Sequence, residues 1–548
     1  VMDAIGRGRG LVACAWLVAA GCSERDAEGV DARTGLAPTE LLVRASLDLR
    51  GVRPSADELD AVRDDPERVG ELVAGFVDDP AFGERMKDVF AGAFRTRTDF
   101  YPPFDSLVDE EYEVDEQMAL YAAIGEEPLE LLAVIALNDR PLTELLRSPV
   151  TYVDPSLLPL WPLEEVEPEP SLRLPPGVVA ARYVDGRPEA GVLGMNSLFW
   201  RHSSTVENAN RGRANALSQA LLCQSYLDRP IDFPSDLDLT DSESIRHAIA
   251  TNAACQGCHS TLDPLASYLW GYVYPEAERP QPHYVVEQER AWQIHTDARP
   301  AYFGRPGERL VDLAEHVAED ERFVGCAVRR VYEGMLGRKA RLEDEGALAV
   351  HREAFLSGGL TLQALVRSIL EDPSYRGEAW SPRFGGEPAP VYEKVAPVGV
   401  LGRSLTHLTG YEMRFVGRSA TSLDLALRSL AGGSDRGDTT NVSTGAVLVQ
   451  RRLAEAGAIH AVTAVLEGRD GGGTLHAFLA DRDLDAAPTR AQLVGLVRLV
   501  RSRARSSDDA EIEALAGVWD DVAALSGPHE AWIAVVTATL ADPDHLLY

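Results

Sequence analysis

The run CQGCHSTLDPLASYL, residues 255–269, decides how this chain is read. Its first five residues, Cys255-Gln256-Gly257-Cys258-His259, form the CxxCH pattern of c-type haem attachment. The spacing suits that chemistry. Two thiols one helical turn apart can add to the two vinyl groups on one porphyrin edge. The adjacent imidazole then lies beneath the iron as proximal ligand. Cys255, Cys258 and His259 are therefore the expected cofactor-binding residues, with haem c, and its iron, as the cofactor. Three other readings compete. A thioredoxin-like CxxC needs a β-α-β setting, whereas helix and loop are expected here. A zinc site needs further ligands in closed tetrahedral geometry, for which His283 or His295 would have to be recruited. A Cys255–Cys258 disulfide would close a short, strained ring.

Outward from the motif, Thr240-Asp-Ser-Glu243 reads as a capping box that opens a helix leading into Ala254 and Cys255. On the other side, Asp263-Pro264 is expected to form a turn that holds the proximal imidazole through a backbone carbonyl. The second axial position of the iron is open to Met195, His202, His283, His295 or Met335. A methionine would raise the potential relative to two histidines. Met335 shares an expected helix with Val331 and Leu336, so core packing competes with ligation there. No Ser-His-Asp or metalloprotease pattern accompanies these residues. His202, His351 and Glu353 read as isolated surface or structural groups.

The first 22 residues carry a different signal. Arg7 and Arg9 precede a short apolar run, Leu11 to Ala20, and Ala19-Ala20-Gly21-Cys22 follows. The run is too short to span a bilayer and reads as a signal peptide over residues 1–21. The small residues before Cys22 resemble a lipobox, which implies lipidation of Cys22 and anchoring to a membrane. Ordinary secretion and a chance apolar start are the competing readings. Export agrees with the motif, because this type of haem attachment takes place outside the bacterial cytoplasm. Cys14 would leave with the signal, and Cys223, Cys255, Cys258 and Cys326 would remain where disulfides persist.

The 548 residues carry 53 Lys and Arg against 86 Asp and Glu, a net charge of −33. That balance argues against binding to nucleic acid or an anionic membrane surface. It suits a well-solvated surface and a cationic partner, although an acidic habitat explains it equally well. With 45% apolar residues the chain can bury large cores.

The expected fold class is mainly α: several helical bundles around a small cytochrome c-like haem unit. Residues 22–37 read as the lipidated tether and 38–152 as an N-terminal helical domain. Within the latter, Ser55-Ala-Asp-Glu58 forms a capping box, and Gln117 to Leu137 reads as a buried helix pair broken near Gly125 and Pro128. Residues 153–188, rich in Pro and Glu, read as an irregular connector, and 189–309 as the haem region. Three helices are expected over Leu310 to Leu370, within a helical domain at 310–380. A Pro/Gly-rich linker follows at 381–397, then a C-terminal helical domain of unknown role at 398–548. Asp-Pro corners recur at Asp79, Asp372 and Asp542, either as common helix stops or as traces of duplication.

The motif and its flanks resemble a multidomain cytochrome c-like family of planctomycetes and myxobacteria. In that family a planctomycete-type cytochrome c motif is joined to domains of unknown function. CxxCH followed by Asp263, Pro264 and Ala266 carries the resemblance. LDLRGVRPSADELDAVRDDP (47–66), DDPAFGERM (78–86), NDRPLTELLRSPVTYVDPSLL (138–158), GVLGMNSLFWRHSS (191–204), RGRANALSQALLC (211–223) and FVGCAVRRVYEGMLGRKARLEDE (323–345) agree in order. The resemblance spans roughly residues 38–378. It implies a redox cofactor but no reaction. Cys223 and Cys326 match cysteines of the myxobacterial branch, which implies a disulfide between them; two buried free thiols are the alternative.

The leading expectation is an exported lipoprotein with one haem c that transfers electrons to a redox partner protein. It would sit at the cell envelope, periplasmic or surface-exposed. A haem-dependent oxidoreductase with an open iron site is the second reading. A non-redox envelope scaffold, in which the motif is structural, is the third.

Overall fold

The first described helix, Pro38–Arg50, shows how the chain punctuates its helices. Pro38 opens it, the Glu40 carboxylate accepts the Ala37 N–H at 3.0 Å, and Gly51, at φ 72°, turns the chain out of it. Ser55 and Glu58 close the expected capping box on the next helix, Ala56–Asp64. In the computed structural model the described residues are 35–98, 101, 114–228, 237–238, 240–273, 283–378, 393–412, 430, 442–503 and 505–548. The protein is mainly α. Residues 1–34, including Cys22 and the expected signal peptide, lie outside the described residues. Among the described residues no helix is long and apolar enough to cross a membrane.

Three details depart from the sequence reading. Val114–Leu137 is one helix and not a broken pair, with Pro128 inside it. The Thr96 hydroxyl donates to the Gly125 carbonyl at 2.6 Å, and the flanking side chains from Leu129 to Leu137 are buried. Burial of this apolar face outweighs the hydrogen bond that Pro128 forfeits. The stretch expected to be irregular contributes a small antiparallel sheet of Thr151–Val153, Leu163–Glu165 and Val179–Tyr183, with the last strand in the centre. Leu310 to Leu370 holds four α-helices, not three: Leu310–Ala318, Glu321–Leu336, Glu345–Ser357 and Leu362–Leu370.

One apolar cluster runs from Leu41 to Tyr375 and takes in Leu262, Leu265 and Leu269 of the motif region. The motif segment thus packs into the same core as the helices before and after it. A second cluster runs from Val398 to Leu546. The two meet at Asp48, whose buried carboxylate accepts Lys394 Nζ at 2.6 and 2.7 Å, the Tyr375 hydroxyl at 2.8 Å and the Tyr548 hydroxyl at 2.7 Å. Cys223 and Cys326 are joined in a disulfide across a sequence separation of 103 residues. It ties the end of helix Arg211–Leu222 to helix Glu321–Leu336.

His351 is neither isolated nor at the surface. It is fully buried, with Nε2 2.8 Å from Asp372 Oδ2 and Nδ1 2.8 Å from the Ser368 hydroxyl. Asp372 also accepts the Ser374 N–H at 2.7 Å. This Asp-Pro corner is therefore a helix stop that doubles as a tie between helices.

Candidate cofactor-attachment site

The helix before the motif, Ser242–Thr251, is capped by Asp241, which accepts the N–H groups of Glu243 and Ser244 at 3.0 and 3.2 Å. Thr240, the residue expected to cap it, bonds Asp238 instead. The helix does not run into the motif. It stops at Asn252, whose side chain accepts from Ala254 at 2.8 Å and Cys255 at 3.3 Å and so starts a new helix, Ala253–Ala266. Cys255 thereby enters the first turn of a helix that carries the whole motif.

Positions i, i+3 and i+4 of a helix share a face. Cys255, Cys258 and His259 occupy them. Both thiols are free and half-buried. Gln256 and Gly257 are exposed, and a side chain built at Gly257 would meet nothing within 4 Å. Further along, Leu262, Leu265 and Ala266 are buried. The helix is anchored by its second half and presents its first half, with the thiols, at the surface.

His259 is held by a carboxylate. Its Nδ1 lies 2.8 Å from Asp263 Oδ1, one turn on. Arg211 grips the same carboxylate with two hydrogen bonds, Nε to Oδ1 at 2.7 Å and Nη2 to Oδ2 at 3.0 Å. Burial alone would raise the Asp263 pKa, but His259 and Arg211 keep it below the ordinary carboxylate value. Asp263 is thus ionised and accepts from Nδ1–H. In a neutral imidazole, the form that can ligate iron, that assignment leaves Nε2 as the lone-pair nitrogen. The expected turn at Asp263-Pro264 is absent: Pro264 lies inside the helix, and the side chain of Asp263, not a backbone carbonyl, holds the ring.

Two free thiols and one oriented imidazole on a single half-buried face are the donor set that haem c requires, so the residues present fit that group. The zinc alternative finds no support in the geometry. Among the described residues no group of three or more His, Cys, Asp or Glu is arranged to hold a metal ion. Nor are Cys255 and Cys258 joined to each other.

The five candidates for the second axial position are scattered. Met195 is buried at the start of helix Asn196–Arg201, and Met335 is buried on helix Glu321–Leu336, where its carbonyl accepts Lys394 Nζ. His202 Nε2 lies 3.1 Å from the Phe94 carbonyl, and burial pushes its pKa down to about 4. His283 and His295 are exposed. The His295 ring stacks on Trp270 at 4.8 Å, and Trp270 lies on the 3-10 turn Ser267–Tyr272 that continues the motif helix.

Sequence reasoning missed Asn252, Arg211 and the role of the Asp263 side chain. The last was within reach, since Asp263 stands four residues after His259, the spacing of a helical pair. Arg211 comes from a distant segment, and no local pattern marks it.

A comparison with curated proteins and one with solved structures each gave no match. One family model does match: PSCyt3, described as a protein of unknown function (DUF1588), over residues 189–273. The matched span contains the blocks at 191–204 and 211–223 and the motif helix; the quoted blocks before 189 and after 273 lie outside it. Over that span the chain is similar to a planctomycete cytochrome c-associated domain family.

Proposed function

We propose that this chain is an exported c-type cytochrome with a single haem c. Thioether bonds to Cys255 and Cys258 attach the haem, and His259 Nε2 serves as proximal ligand. Cys22 carries a lipid that anchors the protein at the cell envelope, periplasmic or surface-exposed, and the protein passes electrons to a redox partner protein. The observation that carries the reading is the disposition of the motif: both free thiols and the imidazole on one half-buried helical face, with Nδ1 held by Asp263.

The bound group would supply a one-electron iron couple. The chain supplies the rest. Asp263 fixes the tautomer and the plane of the His259 ring, and Arg211 keeps Asp263 ionised and in place. Leu262, Leu265 and Leu269 seat the helix in the core, which holds the thiols in register.

Full-length protein exported in a host with periplasmic haem c maturation tests the reading. A haem-stained band that survives denaturing electrophoresis is expected. It should be lost in the Cys255→Ala, Cys258→Ala double variant, and Cys22→Ala should release the haem-bearing protein from the membrane fraction. A normally folded, exported chain without the haem stain would overturn the assignment.

A further inference from the structure

Helix Ser242–Thr251 carries an apolar stripe that no core takes up. Ile245, Ala248 and Ile249 share one face and are half-buried, while Arg246, His247 and Ala250 are exposed. Among the described residues, neither isoleucine belongs to any of the apolar clusters that hold the protein together. Helix Leu362–Leu370, of similar length, buries Leu362, Leu365, Val366, Ile369 and Leu370.

The stripe adjoins the thiols. Asn252 ends this helix and caps the motif helix, so the two meet at the thiol-bearing end. There the Gln256 side chain donates to the Ala250 carbonyl.

A second apolar group flanks the motif from another segment. Leu227 is 68% exposed, yet it is held in place. Its N–H donates to the Ser225 hydroxyl at 3.0 Å, and Gln219 Nε2 donates to the same oxygen at 2.7 Å. The Tyr226 N–H donates to Asn215 Oδ1 at 2.8 Å. Asn215 and Gln219 lie on helix Arg211–Leu222, whose Arg211 grips Asp263. The Tyr226 hydroxyl comes close to Thr261 and Cys258 of the motif helix. The turn Ser225–Leu227 is thus fixed beside Cys258 and shows a leucine to the outside.

We propose that Ile245 and Ile249, with Leu227, form the apolar cover of the haem at Cys255 and Cys258. The inference rests on the haem c reading and adds to it the residues that shield the group. A porphyrin is a flat apolar group tied to the thiols that both elements flank, and contact with it removes these side chains from water. The stripe holds no histidine or methionine, so it shields the iron without ligating it. The cover has a redox consequence, because burial is one of the levers that set an iron potential. Excluding water disfavours the oxidised, more highly charged iron.

Full-length exported protein tests the proposal, with haem content measured for each variant and potentials read on the haem-loaded fraction. Ile245→Ser with Ile249→Ser should lower the midpoint potential. It should also shrink the gain in Tm that the loaded protein shows over the Cys255→Ala, Cys258→Ala chain. In that haem-free background the two serines should leave Tm unchanged. Leu227→Ser should act in the same direction, and Ile245→Leu with Ile249→Leu should keep wild-type values. Leu525→Ser, at a residue 81% exposed on helix Ala510–Ser526, is the control and should change neither quantity. Wild-type potential and Tm gain in the loaded double serine variant would overturn the cover and leave the stripe to a partner protein. An equal loss of Tm with and without haem would overturn it as well, since the stripe would then pack on the chain itself. A wild-type chain without covalent haem would instead overturn the haem c reading beneath it.

Discussion

Nδ1 of His259 lies 2.8 Å from Oδ1 of Asp263 on the same helix, and Arg211 from another helix holds both oxygens of that carboxylate. An ionised partner on Nδ1 makes Nε2 a stronger donor and so favours the oxidised form of a bound iron. Asp263→Asn in the haem-loaded protein is therefore expected to raise the midpoint potential. A spectroelectrochemical titration checks this; an unchanged or lowered potential would count against a direct His259–Asp263 link to the iron.

The Arg211–Asp263 pair also ties helix Arg211–Leu222 to the motif helix, with both side chains largely shielded from water. Arg211→Gln should cost about 1–3 kcal/mol, the usual range for a charge-assisted bond. Urea unfolding of the haem-free chain measures it. A change within a few tenths of a kcal/mol would mean that the tie does not hold in solution.

The Cys223–Cys326 disulfide flanks the motif segment on both sides. Its sequence separation of 103 residues corresponds to about 4–5 kcal/mol in the loop-entropy account. Cys223→Ser with Cys326→Ser should lower stability by that order in urea, and reductant should have little further effect. Peptide mapping without reductant should recover the two cysteines in one linked pair.

Two neighbouring buried carboxylates titrate in opposite directions around Lys87. Burial, with the repulsion of Glu126, pushes Glu130 up to about 7 despite its ion pair with Lys87. Burial would also raise Glu126, but Arg97 and Lys87 hold it down to about 2. Folding therefore takes up a proton at Glu130 between its ordinary 4.5 and about 7, and stability from this site falls as pH rises through that window. Glu126 acts the other way: its contribution is lost as pH falls from 4.5 towards 2. Glu130→Gln should remove the first slope and keep the second. Denaturant midpoints measured from pH 3 to 8 decide it, and an unaltered slope between 4.5 and 7 would refute the assignment.

The local parts of the candidate site were legible. The i, i+3, i+4 spacing of Cys255, Cys258 and His259 gave their shared face as soon as a helix was assumed, and Ser55 with Glu58 gave a cap that the structure contains. The disulfide was legible only through the resemblance, because pairing Cys223 with Cys326 depends on how two distant helices pack. The helix break at Asn252 was missed because an asparagine inside a helical run reads as a weak residue before it reads as a cap. Pro128 was read as a breaker because its local cost is plain, whereas the burial that offsets it is tertiary. The strands at 151–183 escaped for the same reason: each has three to five residues, and only pairing with the others gives it a pattern.

The central claim is covalent haem at Cys255 and Cys258. Its most direct test is the intact mass of the exported protein, taken after denaturation and acid-acetone extraction, together with a pyridine haemochrome spectrum. The account predicts one haem per chain that resists extraction, with attachment mapped to the peptide containing Cys255 and Cys258 and lost when both are replaced by Ala. A folded, exported protein with the bare polypeptide mass, or with haem removed by acid-acetone, would contradict it.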